Sequence, residues 1–229
     1  MYLCKVPKVQ KSFFMPQLSL HDIRKDYRMA SLSESDVLSD PFRQFEKWFT
    51  EVLHAEVEEA NAMTLATVAG DGAPSARIVL LKDFDERGFY FYTNYGSRKA
   101  RQLDINPHAA VVFFWKELER QVRIEGIVRR AEPQMSDAYY AARPRESQIG
   151  AWASPQSEVI SGRSFLEERV AEAHARFGDG EVKRPGFWGG FVVAPKRVEF
   201  WQGRASRLHD RIQYRLQPDE SWVIERLAP

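Results

Sequence analysis

The sequence predicts a mainly β protein, an antiparallel barrel with helices at its periphery. Three observations predict it. Strand-like runs follow one another across tight turns, Gly70-Asp71-Gly72 and Asp85-Glu86-Arg87-Gly88. Helical patterns are inserted between groups of strands instead of alternating with single ones. No βαβ repeat occurs, which argues against a doubly wound nucleotide fold.

Taken in order, residues 1–17 read as an irregular tail and residues 18–30 as a short helix, followed by a polar linker from Ser31 to Asp40. Asp40-Pro41 is a helix start, an N-cap followed by proline at the first helical position. Phe42, Phe45, Phe49, Val52 and Leu53 then recur at helical spacing, and the helix is expected to end near Asn61. Strands are expected at 62–69, 73–82 and 89–93, then a helix over 97–105 stopped by Asn106-Pro107. A strand pair follows at 108–115 and 119–130, then helices at 133–142, 145–151 and 163–177. The chain closes with strands at 189–201, 207–216 and 221–226.

Composition narrows the function. Of 229 residues, 44% are hydrophobic, enough for a packed core, and the net charge of +1 gives no general pull toward nucleic acid or an anionic membrane. Any anion site must therefore be local. Cys4 is the single cysteine, which leaves no internal disulfide and points to a reducing cytoplasm. No apolar run approaches the ~20 residues that span a bilayer. The tail carries Lys5, Lys8 and Lys11 without the apolar stretch of a signal peptide. The phosphate loop G-x-x-x-x-G-K-[ST], the metalloprotease H-E-x-x-H and the hydrolase G-x-S-x-G are all missing, and five scattered histidines support no metal site.

Several cationic segments stand out. Arg77 and Lys82 bracket the apolar run Ile78-Val79-Leu80-Leu81, which suits a strand whose ends reach a polar site, and equally a core strand with snorkelling ends. Ser97-Arg98-Lys99 falls at a helix N-terminus, where a phosphate would be favoured; the competing reading is a solvated surface pair. Arg207-Leu208-His209-Asp210-Arg211, read as a strand, points Arg207, His209 and Arg211 to one face, a repulsive triple unless an anion or an acidic partner compensates it. Arg143 lies one helical turn after Tyr139, with Arg145 and Ser147 close behind. These residues suit more than one phosphate and do not by themselves give a reaction.

Together the segments resemble the pyridoxine (pyridoxamine) 5′-phosphate oxidase family. The stretches that carry the resemblance are RIVLLK at 77–82, FYTNYGSRKA at 91–100, ERQVRIEG at 119–126, RPRESQIGAWAS at 143–154, FWGGF at 187–191, VEFWQGRASRLHDR at 198–211 and ERLAP at 225–229. They cover the chain from about residue 20 onward. The resemblance implies a Greek-key split β-barrel, one FMN-binding domain over 18–229, working as a homodimer with FMN in clefts between the subunits.

Carried over by motif, the FMN contacts are Arg77, Ile78, Val79, Leu80, Leu81, Lys82, Tyr92, Thr93, Arg98, Lys99, Gln121, Gln156, Ser157, Trp201 and Arg211. Lys82, Tyr139, Arg143 and Ser147 are expected around the substrate phosphate. Arg207, Leu208 and His209 are expected over the pyridine ring, with Arg207 and His209 in the catalytic role. Arg24, Lys25, Asp26 and Tyr27 resemble a segment that covers the substrate, with Lys25 and Asp26 standing where Arg and Glu are expected. The implied reaction is oxidation of pyridoxine or pyridoxamine 5′-phosphate to pyridoxal 5′-phosphate. The C4′ carbon gives a hydride to the flavin and O2 is reduced to H2O2, with ammonia released from the amine. The flavin carries the hard chemistry and the protein positions it. A split-barrel reductase using NAD(P)H, and a carrier of FMN or pyridoxal phosphate without turnover, are the alternatives.

Overall fold

The structure is a computed structural model, and it describes residues 26–229. Helix α1 (Pro41–His54) starts where the sequence predicts, with Asp40 Oδ1 accepting from the amides of Phe42 and Arg43. It ends seven residues earlier than expected, because Glu56 (φ 52°) and Glu59 (φ 47°) curl the following segment out of helical geometry. The chain then runs β1 (Ala62–Val68), β2 (Pro74–Leu80), β3 (Asp83–Asp85), β4 (Gly88–Asn94), α2 (Arg98–Ile105), β5 (His108–Trp115) and β6 (Arg120–Arg130). Helices α3 (Pro133–Ala142), α4 (Arg145–Ala153) and α5 (Arg163–Phe177) follow, then β7 (Trp188–Gln202), β8 (Asp210–Leu216) and β9 (Trp222–Arg226).

All strand pairs are antiparallel, in the order β2-β1-β5-β6-β7-β4-β3, with β8 and β9 branching from β7. The fifteen-residue β7 organises the sheet. Its first half pairs with β4 and its second half with β8, while β6 runs along nearly its whole length.

Three local expectations are corrected. Residues 26–30 are not helical; the rest of that predicted helix, and the tail, lie outside the described residues. The second strand stops at Leu80 rather than Lys82, and Asp83–Asp85 forms a short strand of its own. The strand expected from residue 207 begins only at Asp210. Ser206 (φ 56°) and Arg207 (φ 61°) are both left-handed, a conformation that cannot continue a pleated strand.

Alternation assigns each sheet face. Met63, Leu65, Val111, Phe113, Val122, Ile124, Val198 and Phe200 face the core, where α1 lays Phe45, Trp48 and Val52 against them. Burying each such side chain contributes roughly 1.5–3 kcal/mol. The opposite face holds the cross-strand row Ile78, Thr64, Val112, Arg123, Glu199 and Gln213. The neighbouring row holds Phe114, Gln121, Trp201 and Arg211. On it Ile78 is 63% exposed and Phe114 55% exposed.

Candidate active site

The first group of site residues gathers at the end of the sheet where β4 meets α2. Ser97 caps α2 by accepting from the Ala100 amide, which places Lys99 in the first turn. Lys99 is 9% exposed. Its Nζ donates to Thr93 Oγ1 (3.0 Å), Ser97 Oγ (3.4 Å) and Gln156 Oε1 (3.5 Å). Burial, and then the Arg77 charge, push its pKa down to about 8. Arg77 donates to Leu65 O, Thr67 Oγ1 and Ser75 Oγ, and burial followed by repulsion from Arg98 pulls its pKa down. Among the described residues no carboxylate forms an ion pair with Arg77, Arg98 or Lys99. Three cations stand together with hydroxyl and amide partners only, a set suited to a phosphate dianion.

The second group is aromatic. Tyr92 and Tyr139 stack with ring centroids 4.1 Å apart, and Tyr92 stacks on Trp188 at 5.6 Å. The Arg143 guanidinium lies 4.6 Å from the Trp188 ring centroid, and Lys82 Nζ lies 5.9 Å from that of Tyr139. Arg143 Nη1 is buried with no hydrogen-bond partner. A guanidinium stays protonated, so an orphaned N–H on it is a strong donor waiting for an anion. Sequence reasoning placed Tyr139 and Arg143 correctly on one side of a helix end but missed Trp188 as the floor beneath them. The signal was the Gly189-Gly190 pair that follows it: a Cβ at Gly190 would stand 2.8 Å from Tyr92 Cε1, so only glycine lets the Tyr92 ring lie there.

The third group sits at the far end of β7. Tyr27 meets Trp201 edge-on at 5.7 Å, and the rings of Trp201 and His209 are 4.6 Å apart. The Arg204 amide donates to His209 Nδ1 (3.1 Å), so the neutral ring carries its proton on Nε2. Burial and then Arg207 lower the His209 pKa against the opposing pull of Asp210, which favours that neutral form. The expected single strand face of Arg207, His209 and Arg211 does not exist, because the strand starts at Asp210. Arg207 and Leu208 are exposed on the left-handed turn. Arg211 is instead compensated by Glu199, which accepts from its Nε (2.8 Å) and Nη2 (3.1 Å) and also pairs with Arg123 at 3.0 Å.

The remaining expected positions divide by geometry. Ile78 and Leu80 point to the open face, whereas Val79 and Leu81 turn into the core, leaving only their main chains for a ligand. Gln121 pairs with Trp201 on the open face. Ser147 is half-buried in the first turn of α4 and Ser157 is exposed at φ 74°. Asp26 is exposed and bonded to Arg28; Arg24 and Lys25 lie outside the described residues. Gly189, opposite Thr93, and Trp201 are twelve residues apart on β7, roughly 40 Å of strand, so Thr93 and Trp201 lie by opposite ends of that strand.

Residues 49–177 match the sequence model described as pyridoxamine 5′-phosphate oxidase. The chain belongs to this family. Residues 188–229 match the companion region, described as the pyridoxine 5′-phosphate oxidase C-terminal dimerisation region. Among curated family members, the pyridoxine/pyridoxamine 5′-phosphate oxidase of Salinibacter ruber is 58% identical over 92% of this chain and 99% of its own. The corresponding protein of Trichormus variabilis is 54% identical over the same shares. The solved structure of PhzG from Burkholderia lata, in complex with tetrahydrophenazine-1-carboxylic acid, superposes with a TM-score of 0.82 at 29% identity, over 88% of this chain and 99% of that one. A pyridoxamine 5′-phosphate oxidase-related, FMN-binding protein from Nostoc punctiforme shares the fold, with a TM-score of 0.65 at 17% identity over 81% of this chain and 97% of that one. The antiparallel sheet is thus that of the family's split barrels. Among the described residues no helix is long and apolar enough to cross a membrane, and no cluster of His, Cys, Asp and Glu suits a metal ion.

Proposed function

We propose that this protein is an FMN-dependent oxidase of pyridoxine 5′-phosphate and pyridoxamine 5′-phosphate, acting as a cytoplasmic homodimer with FMN at the subunit interface. The observation that carries the reading is the pair of separate cationic groups, Arg77-Arg98-Lys99 and Lys82-Arg143, each without a carboxylate partner among the described residues. They suit two phosphates, one on the cofactor and one on the substrate. The relatives at 54–58% identity are named for a phosphate substrate and span nearly the whole chain, which favours this over the compound bound in the structure of the more distant PhzG.

FMN fits the residues present: the buried Lys99 and the half-buried Arg77, with the Thr93 and Ser97 hydroxyls, form a ready cradle for its phosphate. Bound there, FMN would supply the chemistry, accepting a hydride from C4′ and passing its electrons to O2. The protein's part is positional. Arg143, Lys82, Tyr139 and Ser147 hold the substrate phosphate, remote from the reacting carbon, so that binding energy fixes the orientation of C4′. Arg207, Leu208 and His209 cover the pyridine ring, and His209 offers an Nε2–H donor to it. Gln121, Trp201 and Arg211 complete the cofactor site. Since these lie about a strand's length from Lys99, the completing copies belong to a second subunit. The exposed Ile78 and Phe114 on the open face and the dimerisation region at 188–229 support that assembly.

The decisive test is the visible spectrum of the FMN-loaded protein under anaerobic conditions. Adding pyridoxine 5′-phosphate should bleach the flavin band, and air should restore it while pyridoxal 5′-phosphate and peroxide appear. A band unchanged by either phosphate substrate would reduce the protein to a carrier or a reductase.

FMN binding should also depend on pH. Lys99 gives up its proton near pH 8 when no phosphate is present, and a bound dianion retains that proton. Below about pH 8 the affinity is insensitive to this group; above it, Kd should rise by up to tenfold per pH unit. A fluorescence titration of FMN between pH 6.5 and 9.5 reads this directly, and a flat profile would remove Lys99 from the phosphate site.

A further inference from the structure

We infer that Glu119 is a positioning residue that latches the segment 26–32 so that Tyr27 closes the Trp201–His209 end of the site. Glu119 lies in the turn between β5 and β6, 3% exposed and held at φ 54°, a left-handed conformation that a non-glycine residue adopts at a cost. Its Oε2 accepts two successive main-chain amides, from Arg28 (2.9 Å) and Met29 (3.1 Å). Its carbonyl accepts from the Gly203 amide (2.8 Å) and from Gln202 Nε2 (3.2 Å). One residue therefore ties segment 26–32 to the end of β7, the strand that carries Trp201.

Tyr27, one residue before the first latched amide, rests on Gly203. A Cβ there would stand 2.7 Å from Tyr27 Cγ and 2.8 Å from Tyr27 Cβ, so the ring occupies the space a side chain would need. Further along, Asp210 Oδ2 accepts from the Leu32 amide (3.0 Å), and Arg226 donates to Leu32 O (3.1 Å) and pairs with Glu34 at 2.8 Å. Asp210 is itself the neighbour of His209. The segment is thus pinned downstream by β8 and β9, while Glu119 sets the end that carries Tyr27. Hydrogen bonds to a buried carboxylate are among the stronger ones, and losing the charge leaves two amides competing for one weaker acceptor.

This rests on the assignment of the Trp201–His209 end to the substrate, and the test separates the two. In the FMN-loaded full-length enzyme, Glu119→Gln should raise KM for pyridoxine 5′-phosphate by about tenfold, with kcat and FMN affinity changed less than twofold. Amide hydrogen exchange at Arg28 and Met29 should accelerate. Tyr27→Ala should raise KM similarly, and the double variant should be no worse than Tyr27→Ala alone, because Glu119 acts through that ring. Unchanged exchange at Arg28 and Met29, or multiplying KM effects in the double variant, would overturn the latch. If Tyr27→Ala leaves KM unaltered, the substrate assignment of this end falls while the exchange result still decides the latch. Met29→Pro deletes one of the two donors at an exposed position with Glu119 intact. Should Glu119→Gln fail to fold, a KM rise in Met29→Pro supports the latch and an unchanged KM rejects it.

Discussion

Replacing Arg143 with alanine is expected to raise KM for pyridoxine 5′-phosphate on the order of 100-fold while FMN affinity stays within about twofold. The guanidinium is wedged against Trp188 with Nη1 buried and unsatisfied, and burial pulls its pKa below the ordinary arginine value. Such a group is costly unless an anion completes it, so the bond it makes to a phosphate is a charge-assisted one in a partly dehydrated site. Two such bonds at roughly 1.5–3 kcal/mol each exceed the factor predicted, and solvent screening and relaxation reduce them. Arg143→Lys separates charge from shape: it keeps the cation but loses the planar fork and the stacking on Trp188, and should recover only part of the loss. Steady-state kinetics beside an FMN titration make the check. A loss of FMN affinity equal to the loss in KM would move Arg143 to the cofactor.

Lys99→Met is expected to give the opposite split, weakening FMN on the order of 50-fold with little change in substrate KM once the cofactor saturates. Methionine keeps the length of the buried stem and removes the charge that Thr93, Ser97 and Gln156 surround. The apoprotein should not suffer. A lysine whose folded pKa lies near 8 against an ordinary 10.5 binds its proton less well when folded, so its charge opposes folding fully below about pH 8 and ceases to do so above its unfolded pKa. The variant should therefore have an apoprotein Tm at pH 7 equal to or above that of the parent, and the pH dependence of FMN binding above 8 should vanish. An apo Tm well below that of the parent would identify Lys99 as a structural lysine rather than a cofactor ligand.

The order of elements and most of the site were legible along the chain because they rest on local physics. Asp40-Pro41 caps a helix by its own side chain, Asn106-Pro107 ends one, and Ser97 opens the helix that carries Lys99. Tyr139 and Arg143 are set one helical turn apart at the end of α3 by local spacing, although both reach Trp188 only through the tertiary fold. Alternation along β2 likewise follows from the pleat, and it turns the Val79 and Leu81 side chains to the core while their main chains remain for a ligand.

What the tertiary structure decided concerns partners distant in sequence and turns with unusual backbones. Arg77 needs β2, β4 and the 154–157 loop brought together before it can share a site with Lys99 and Gln156, and no local pattern encodes that meeting. The acidic partner of Arg211 is Glu199, twelve residues upstream on β7, a pairing set by strand register. Left-handed Ser206 and Arg207 break a stretch whose composition reads as strand, because backbone dihedrals at such a turn are imposed by the two ends it must join and not by the side chains within it. The sequence by itself determined which residues could bind two phosphates and on which elements they ride. The long shared strand β7 decided that Trp188 and Gly189, beside the cationic groups, stand at its start while Trp201, beside His209, stands at its end, since a strand gains about 3.3 Å per residue and cannot fold back on itself.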